Sequence, residues 1–317
     1  MNYSQLIRDA WAATWRYRYL WILGLFAGGA AGAGGGRQAQ WNVERGDIEQ
    51  WSPRAAELAE TTVDWLAANW VYIAVGAGVV GLALLALSFI AQGGMAKATA
   101  DIAEGRGSSL GQAWRAGLHF CWRYVGLWFT LFAVVLLAAA AVAALLVLAM
   151  GTGVLAAGAV STDGAPAAIV VILLLILIPL VLVGIAAAVV FGIVATYAQR
   201  AVAIEDEGPV AALGDGWRLF RRNVGASMLV WLLNLALSIG AGIVASIAIV
   251  MALAVLGLVG FAFWAALGAH VATIIYAALA GAVFVAVALT VAAIVNTFFW
   301  HFWTLAYLRL SGTQHAA

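Results

Sequence analysis

The residues of this chain that could do chemistry are few and fall in short patterns. Gly107-Ser108-Ser109-Leu110-Gly111 fits the G-x-S-x-G nucleophile elbow. That motif exposes a serine at a strand-to-helix turn and needs an acid and then a histidine further on. Here it opens an amphipathic helix, where Ser108 and Ser109 suit the cap. An internal copy of the same segment carries Ala212 in place of Ser109. Gly76-Ala77-Gly78-Val79-Val80-Gly81 fits G-x-G-x-x-G, the dinucleotide fingerprint, but it lies inside an apolar run with no strand before it. Small residues that let helices approach closely explain it better. His270 and His301 fall at opposite ends of one apolar stretch and make no metal pair. The single cysteine, Cys121, forms no internal disulfide and no zinc site. The expectation is a protein that is not an enzyme and uses no cofactor and no metal.

Three other sets of residues carry physical meaning. Gly24, Gly28, Gly32 and Gly36 recur every four residues, a tandem G-x-x-x-G stripe for close helix packing. A backbone-lined passage or a hinge is its other use. Asn234 and Asn296 are the main polar residues in long apolar stretches, and a hydrogen bond between them is worth about 0.6–2 kcal/mol. Arg115, Arg123, Arg218, Arg221 and Arg222 cluster at the ends of such stretches, where they can meet lipid phosphates. Pro179 is expected to kink its helix. Lys97 and Asp101, one helical turn apart, read as a surface ion pair.

Composition decides what holds these residues. Charged side chains make up 9% of the 317 residues and apolar ones 66%. A soluble domain carries roughly 25% charged residues, so a water-soluble globule and a disordered chain are both excluded. Fifteen basic against fourteen acidic residues leave a net charge of +1, which argues against nucleic acid as a partner. The expected fold is all-α, a polytopic transmembrane helical bundle. A span needs ~20 apolar residues, and only a helix satisfies its own backbone within one segment.

Six spans are expected. The map has an N-terminal amphipathic elbow at 1–18, span 1 at 19–36 and an external loop at 37–64. Hairpin repeat A covers 65–150, hairpin repeat B 167–256, and span 6 lies at 271–308. Residues 224–308 contain no Asp, Glu, Lys or Arg, so this region suits either two long helices with a break near Gly257 to His270 or four shorter spans. Twelve of the fifteen basic residues fall in the N-terminal arm, the two segments between spans 2 and 3 and between spans 4 and 5, and the C-terminus. By the positive-inside rule these segments and both termini are cytoplasmic. A signal peptide cleaved near Ala31-Gly32-Ala33 is the competing reading of the N-terminus.

An internal repeat supports the map. Glu104, Gly105, Leu110, Gly111, Trp114 and Arg115 match Glu207, Gly208, Leu213, Gly214, Trp217 and Arg218 without a gap. Each copy is a span, a basic amphipathic elbow and another span, in the same orientation. The expected apolar stripes are Leu110, Ala113, Trp114, Leu118 and Cys121 in one elbow, and Val210, Leu213, Trp217 and Phe220 in the other. A third elbow, with Leu6, Ile7, Ala10, Trp11, Thr14 and Trp15 on one face, pairs with the last span. Three hairpins then surround a pseudo-threefold axis, one of them split by the termini.

Three stretches carry a resemblance: Tyr197-Ala198-Gln199-Arg200-Ala201 and then Gly208, the run Trp217-Arg218-Leu219-Phe220-Arg221-Arg222-Asn223, and the ending Trp303-Thr304-Leu305-Ala306-Tyr307. The chain here resembles poorly characterised bacterial six-span membrane proteins, among them the membrane domain found fused to glycerophosphodiester phosphodiesterases. No phosphodiesterase domain accompanies it, so that activity does not carry over. The resemblance implies a bacterial inner-membrane protein concerned with lipids or the envelope. The expected function is therefore lipid interaction through the basic elbows, with membrane lipids, anionic ones included, as partners and self-association into a homo-oligomer open. A transporter or channel with a path between the repeats near Asn234 and Asn296 is the alternative.

Overall fold

The computed structural model describes residues 2–28, 53–159, 165–268 and 271–312. Eight helices account for nearly all of them, and no strand occurs among the described residues. They are α1 (Tyr3–Arg16), α2 (Leu20–Ala27), α3 (Pro53–Ala103), α4 (Leu110–Ala159), α5 (Ala165–Ile204), α6 (Pro209–Arg222), α7 (Val224–Leu267) and α8 (Val271–Ser311). Five of these, α3, α4, α5, α7 and α8, are long and apolar enough to cross a membrane. The first expected span is described only over α2. Gly32, Gly36, the 37–52 part of the external loop and the Ala31-Gly32-Ala33 motif lie outside the described residues.

Local chemistry sets the helix ends. Asn2 caps α1 by accepting the Gln5 N–H at 3.2 Å. Pro53 opens α3, where its missing N–H costs nothing. At the far end of α3, Gly105 takes φ +75°. The Arg106 N–H reaches the Asp101 carbonyl and the Gly105 N–H the Ile102 carbonyl, which closes the helix as a Schellman motif. Ser109 then starts α4 with a reciprocal cap: its Oγ accepts the Gln112 N–H at 3.3 Å, and its own N–H donates to the Gln112 side chain at 3.0 Å. The G-x-S-x-G serines thus sit at a helix start, as the sequence suggested.

The two internal elbows differ. Residues 110–121 do not form a separate elbow helix; they are the first turns of the continuous α4. In the second copy α6 stands alone, because Asn223 takes φ −132° and breaks the run. Its amide donates to the Leu219 carbonyl at 3.2 Å, and its own carbonyl accepts the Ser227 N–H at 2.8 Å. One residue therefore ends α6 and starts α7. Tyr124 in the matching Arg-x-Val-Gly run of α4 has no such side chain, and the helix passes through. The face by which α6 packs on the protein is offset from its apolar stripe. Ala212, Gly216 and Phe220 face inward, while Val210 and Trp217 are exposed and Leu213 half-buried. Gly216 explains the choice: a Cβ there would lie 2.7 Å from the Val194 carbonyl oxygen, so the small-residue face seats α6 on α5.

Residues 224–308 form two long helices. The break falls at Gly268 (φ +60°), within the expected window. Beside it, the Tyr276 hydroxyl donates to the Leu256 carbonyl at 2.6 Å and stacks on Phe263, which joins α7 and α8 as an antiparallel pair. α5 runs through Pro179 without ending.

The packed core occupies one end of the molecule. Buried residues fall at 88–100 of α3, 113–131 of α4, 193–203 of α5 and 293–308 of α8, with α1, α2 and α6 against them. None of residues 63–87, 132–148, 177–192, 231–267 or 271–292 is buried. The core end carries the elbows, α1 and the last turns of α8, and most of the described apolar surface of the long helices beyond it is exposed.

Candidate functional site

At the core end α2, α5 and α8 meet. Gly24 and Gly28 of α2 face Thr297 and Asn296 of α8, so closely that a Cβ at either glycine would overlap those side chains. The Thr297 hydroxyl donates to the Ala293 carbonyl at 2.7 Å, and the Trp300 indole N–H donates to the Ala27 carbonyl at 3.3 Å. A cavity of about 220 Å³ opens beside this contact. Ala27, Gly28, Thr196, Gln199, Arg200 and Asn296 line it, with Phe299, Trp300 and Trp303 as its aromatic side.

Arg200 is the unexpected member. It belongs to α5, four residues before the helix ends, and only 4% of it is exposed. In the sequence it falls in the basic segment between spans 4 and 5. Burial brings it inside. Nη1 donates to the Thr196 carbonyl and to Gln199 Oε1, both at 3.0 Å. The Trp300 ring lies 4.2 Å from the guanidinium carbon, a cation–π contact. Nε is enclosed and has no hydrogen-bond partner, and no carboxylate among the described residues pairs with the group. The signal was in the chain: Arg200 is the fourth residue of the Tyr197-Ala198-Gln199-Arg200-Ala201 run. What that run could not reveal is which neighbours wall it off from water.

The two asparagines part company. Asn234 Oδ1 accepts the Trp303 indole N–H at 3.0 Å, so α7 and α8 are linked by Asn234 and Trp303 and not by Asn234 and Asn296. Asn296 lines the cavity and Asn234 does not.

The five elbow arginines also divide. Arg123 donates to Asp206, both to its carbonyl at 2.7 Å and to its carboxylate, and so ties α4 to the turn before α6. Arg218 pairs with Asp215 one turn away. Arg115, Arg221 and Arg222 are exposed and make no ion pair or hydrogen bond with described residues. The expected Lys97–Asp101 pair is present at 3.8 Å, and Arg106 donates to the same carboxylate at 2.7 Å. That hydrogen bond raises the Arg106 pKa above its ordinary value.

Glu205, Glu207 and Asp215 form a cluster that sequence reasoning missed: one oxygen of each lies within 4.8 Å of the others. Tyr307 of α8 donates to Glu205, and Arg218 pairs with Asp215, so two of the three acids are engaged. The cluster ties α8, α6 and the end of α5 together. His301 is buried, and the Thr99 hydroxyl donates to the Met95 carbonyl at 2.7 Å. The 2.9 Å contact between Thr99 Oγ1 and His301 Nδ1 therefore has the imidazole as donor.

Five helices, each long and apolar enough to cross a membrane, make this a multi-pass helical membrane protein. Residues 10–312 match a family of unknown function (DUF7544), and the chain belongs to that family. No curated protein and no solved structure matches it.

Proposed function

We propose that the chain is a bacterial inner-membrane protein that interacts with acidic lipid through its cytoplasmic elbows. The observation that carries this reading is the state of Arg115, Arg221 and Arg222. Three exposed guanidinium groups sit in the first turns of α4 and at the end of α6, with no acid among the described residues to neutralise them. A basic residue near an anionic surface is worth about 1 kcal/mol. In the same reading α2 is the inner part of a sixth crossing, both termini are cytoplasmic, and three hairpins surround a pseudo-threefold axis. The contacts of α8 with α1 and α2 support the split hairpin: Arg309 pairs with Asp9, and Thr297 approaches the Leu20 carbonyl at 3.4 Å. The likeness to the membrane domain of fused phosphodiesterases belongs to the same proposal.

The test is a triple replacement, R115Q/R221Q/R222Q. Binding to vesicles rich in phosphatidylglycerol is expected to fall about a hundredfold, from three losses of about 1 kcal/mol each. The loss should shrink as salt rises. Unchanged binding at low salt would sink the reading. Transport near Asn234 and Asn296 has less support, since Asn234 is committed to Trp303 and only Asn296 borders the cavity.

A further inference from the structure

We infer that the cavity beside Arg200 is a binding site for a single oxyanion, a phosphate or carboxylate group, distinct from the elbow arginines. A guanidinium offers five N–H donors. Nη1 spends its two on Thr196 and Gln199. Nη2 has no hydrogen-bond partner among the described residues, while Nε, also unpartnered, is closed off from solvent. Nη2 is therefore the guanidinium donor left for an oxygen of one anion, in a charge-assisted hydrogen bond. Trp300, whose ring centre is 4.2 Å from the guanidinium carbon, fixes the plane of the group.

The surrounding acids do not fill the role. Glu205 accepts from Tyr307, Asp206 from Arg123, and Asp215 pairs with Arg218, while Glu207, whose Oε2 is buried without a partner, makes no ion pair with Arg200. A buried cation without a counter-charge is unfavourable, so a bound anion completes the site instead of competing with an internal partner. Gln199 and Asn296 border the same cavity, and neither amide nitrogen donates to a described residue. They supply neutral donors opposite a charged one. A cavity of about 220 Å³ has the room of roughly seven waters at about 30 Å³ each. That suits one phosphate group and the first atoms attached to it, not a whole lipid. The aromatic wall of Phe299, Trp300 and Trp303 favours an anion carried on a less polar body. A lipid headgroup and a free phosphate share this chemistry.

The experiment uses the purified full chain in a neutral detergent. Native mass spectrometry counts bound molecules of phosphatidylglycerol, with phosphatidylcholine as control, and a thermal shift titration is run with inorganic phosphate. One phosphatidylglycerol bound per chain, without a phosphate response, assigns the site to a lipid headgroup. A saturable phosphate response without lipid retention assigns it to a soluble anion. Arg200→Lys keeps the charge but loses the planar guanidinium held on Trp300 with its Nη2 donor, and is expected to weaken binding at least about tenfold. Asn296→Leu, at the cavity wall on another helix, should weaken it several-fold with the guanidinium intact. The R115Q/R221Q/R222Q chain should keep the single tight site, which separates this inference from the elbow reading. No binding of either probe to the wild-type chain, or equal binding by R200K and N296L, overturns it.

Discussion

At the scale of single residues, glycine and its neighbours set the tightest constraints. Gly117 of α4 faces the Ile90 carbonyl of α3 with no space for a methyl group, whereas Gly111, on the same helix, has open space around it. Gly117→Ala is therefore expected to lower stability by about 1–3 kcal/mol, the usual cost of overpacking. Gly111→Ala is expected to be neutral or stabilising by up to about 1 kcal/mol. Melting temperatures in one detergent check both, and a larger loss for Gly111→Ala would contradict the packing described here. Ser109→Ala should cost about 1 kcal/mol through the lost cap. The Ser109 cap was legible in the sequence because its partner is three residues away. The partner of Asn234 was not, because Trp303 lies 69 residues further along the chain.

At the scale of elements, continuity of the helix is the variable. Two elbows with six matched residues diverge because one carries Asn223 where the other continues through Tyr124. The amide of Asn223 competes for backbone groups that would otherwise sustain the helix. The N-terminal elbow breaks as well, at Tyr17 to Tyr19, and is held to the far end of the chain by the Asp9–Arg309 pair. Both partners are partly exposed, so the pair is worth only about 1 kcal/mol or less. Arg309→Gln should accelerate amide hydrogen exchange over α1 by up to about fivefold and leave the buried part of α8 unchanged. Equal protection of α1 in both chains would show that Leu6, Ala10 and Thr14, buried against the core, hold it alone.

For the whole molecule, length governs. α7 has 44 residues and α8 has 41. At 1.5 Å per residue each is over about 60 Å long, roughly twice a ~30 Å hydrocarbon core. Even a tilt of about 40°, the upper end of the usual range, leaves more apolar helix than that core covers. Among the described residues, the turns at 104–109 and 205–208 gather with α1 and the last turns of α8 at the core end, away from Gly268. Cysteines placed at Glu104 and at Val271, in a Cys121→Ala background, should therefore label from opposite sides of a sealed cell membrane, Glu104→Cys from the cytoplasm. Labelling of both from one side would contradict the topology.

The amino-acid sequence alone settled the class of the protein. A chain with 9% charged and 66% apolar residues cannot cover itself for water, and its apolar runs are long enough only as helices. It also settled the features that depend on near neighbours, such as the Ser109 cap and the Lys97–Asp101 pair. Only the tertiary structure decided which side chains leave water. Arg200 is enclosed because Trp300, a hundred residues later, lies across it, and Glu205 and Asp215 converge because α6 folds back onto α5. Periodicity along one helix states which residues share a face. It does not state which other helix meets that face, and the chemistry of a buried charge depends on that.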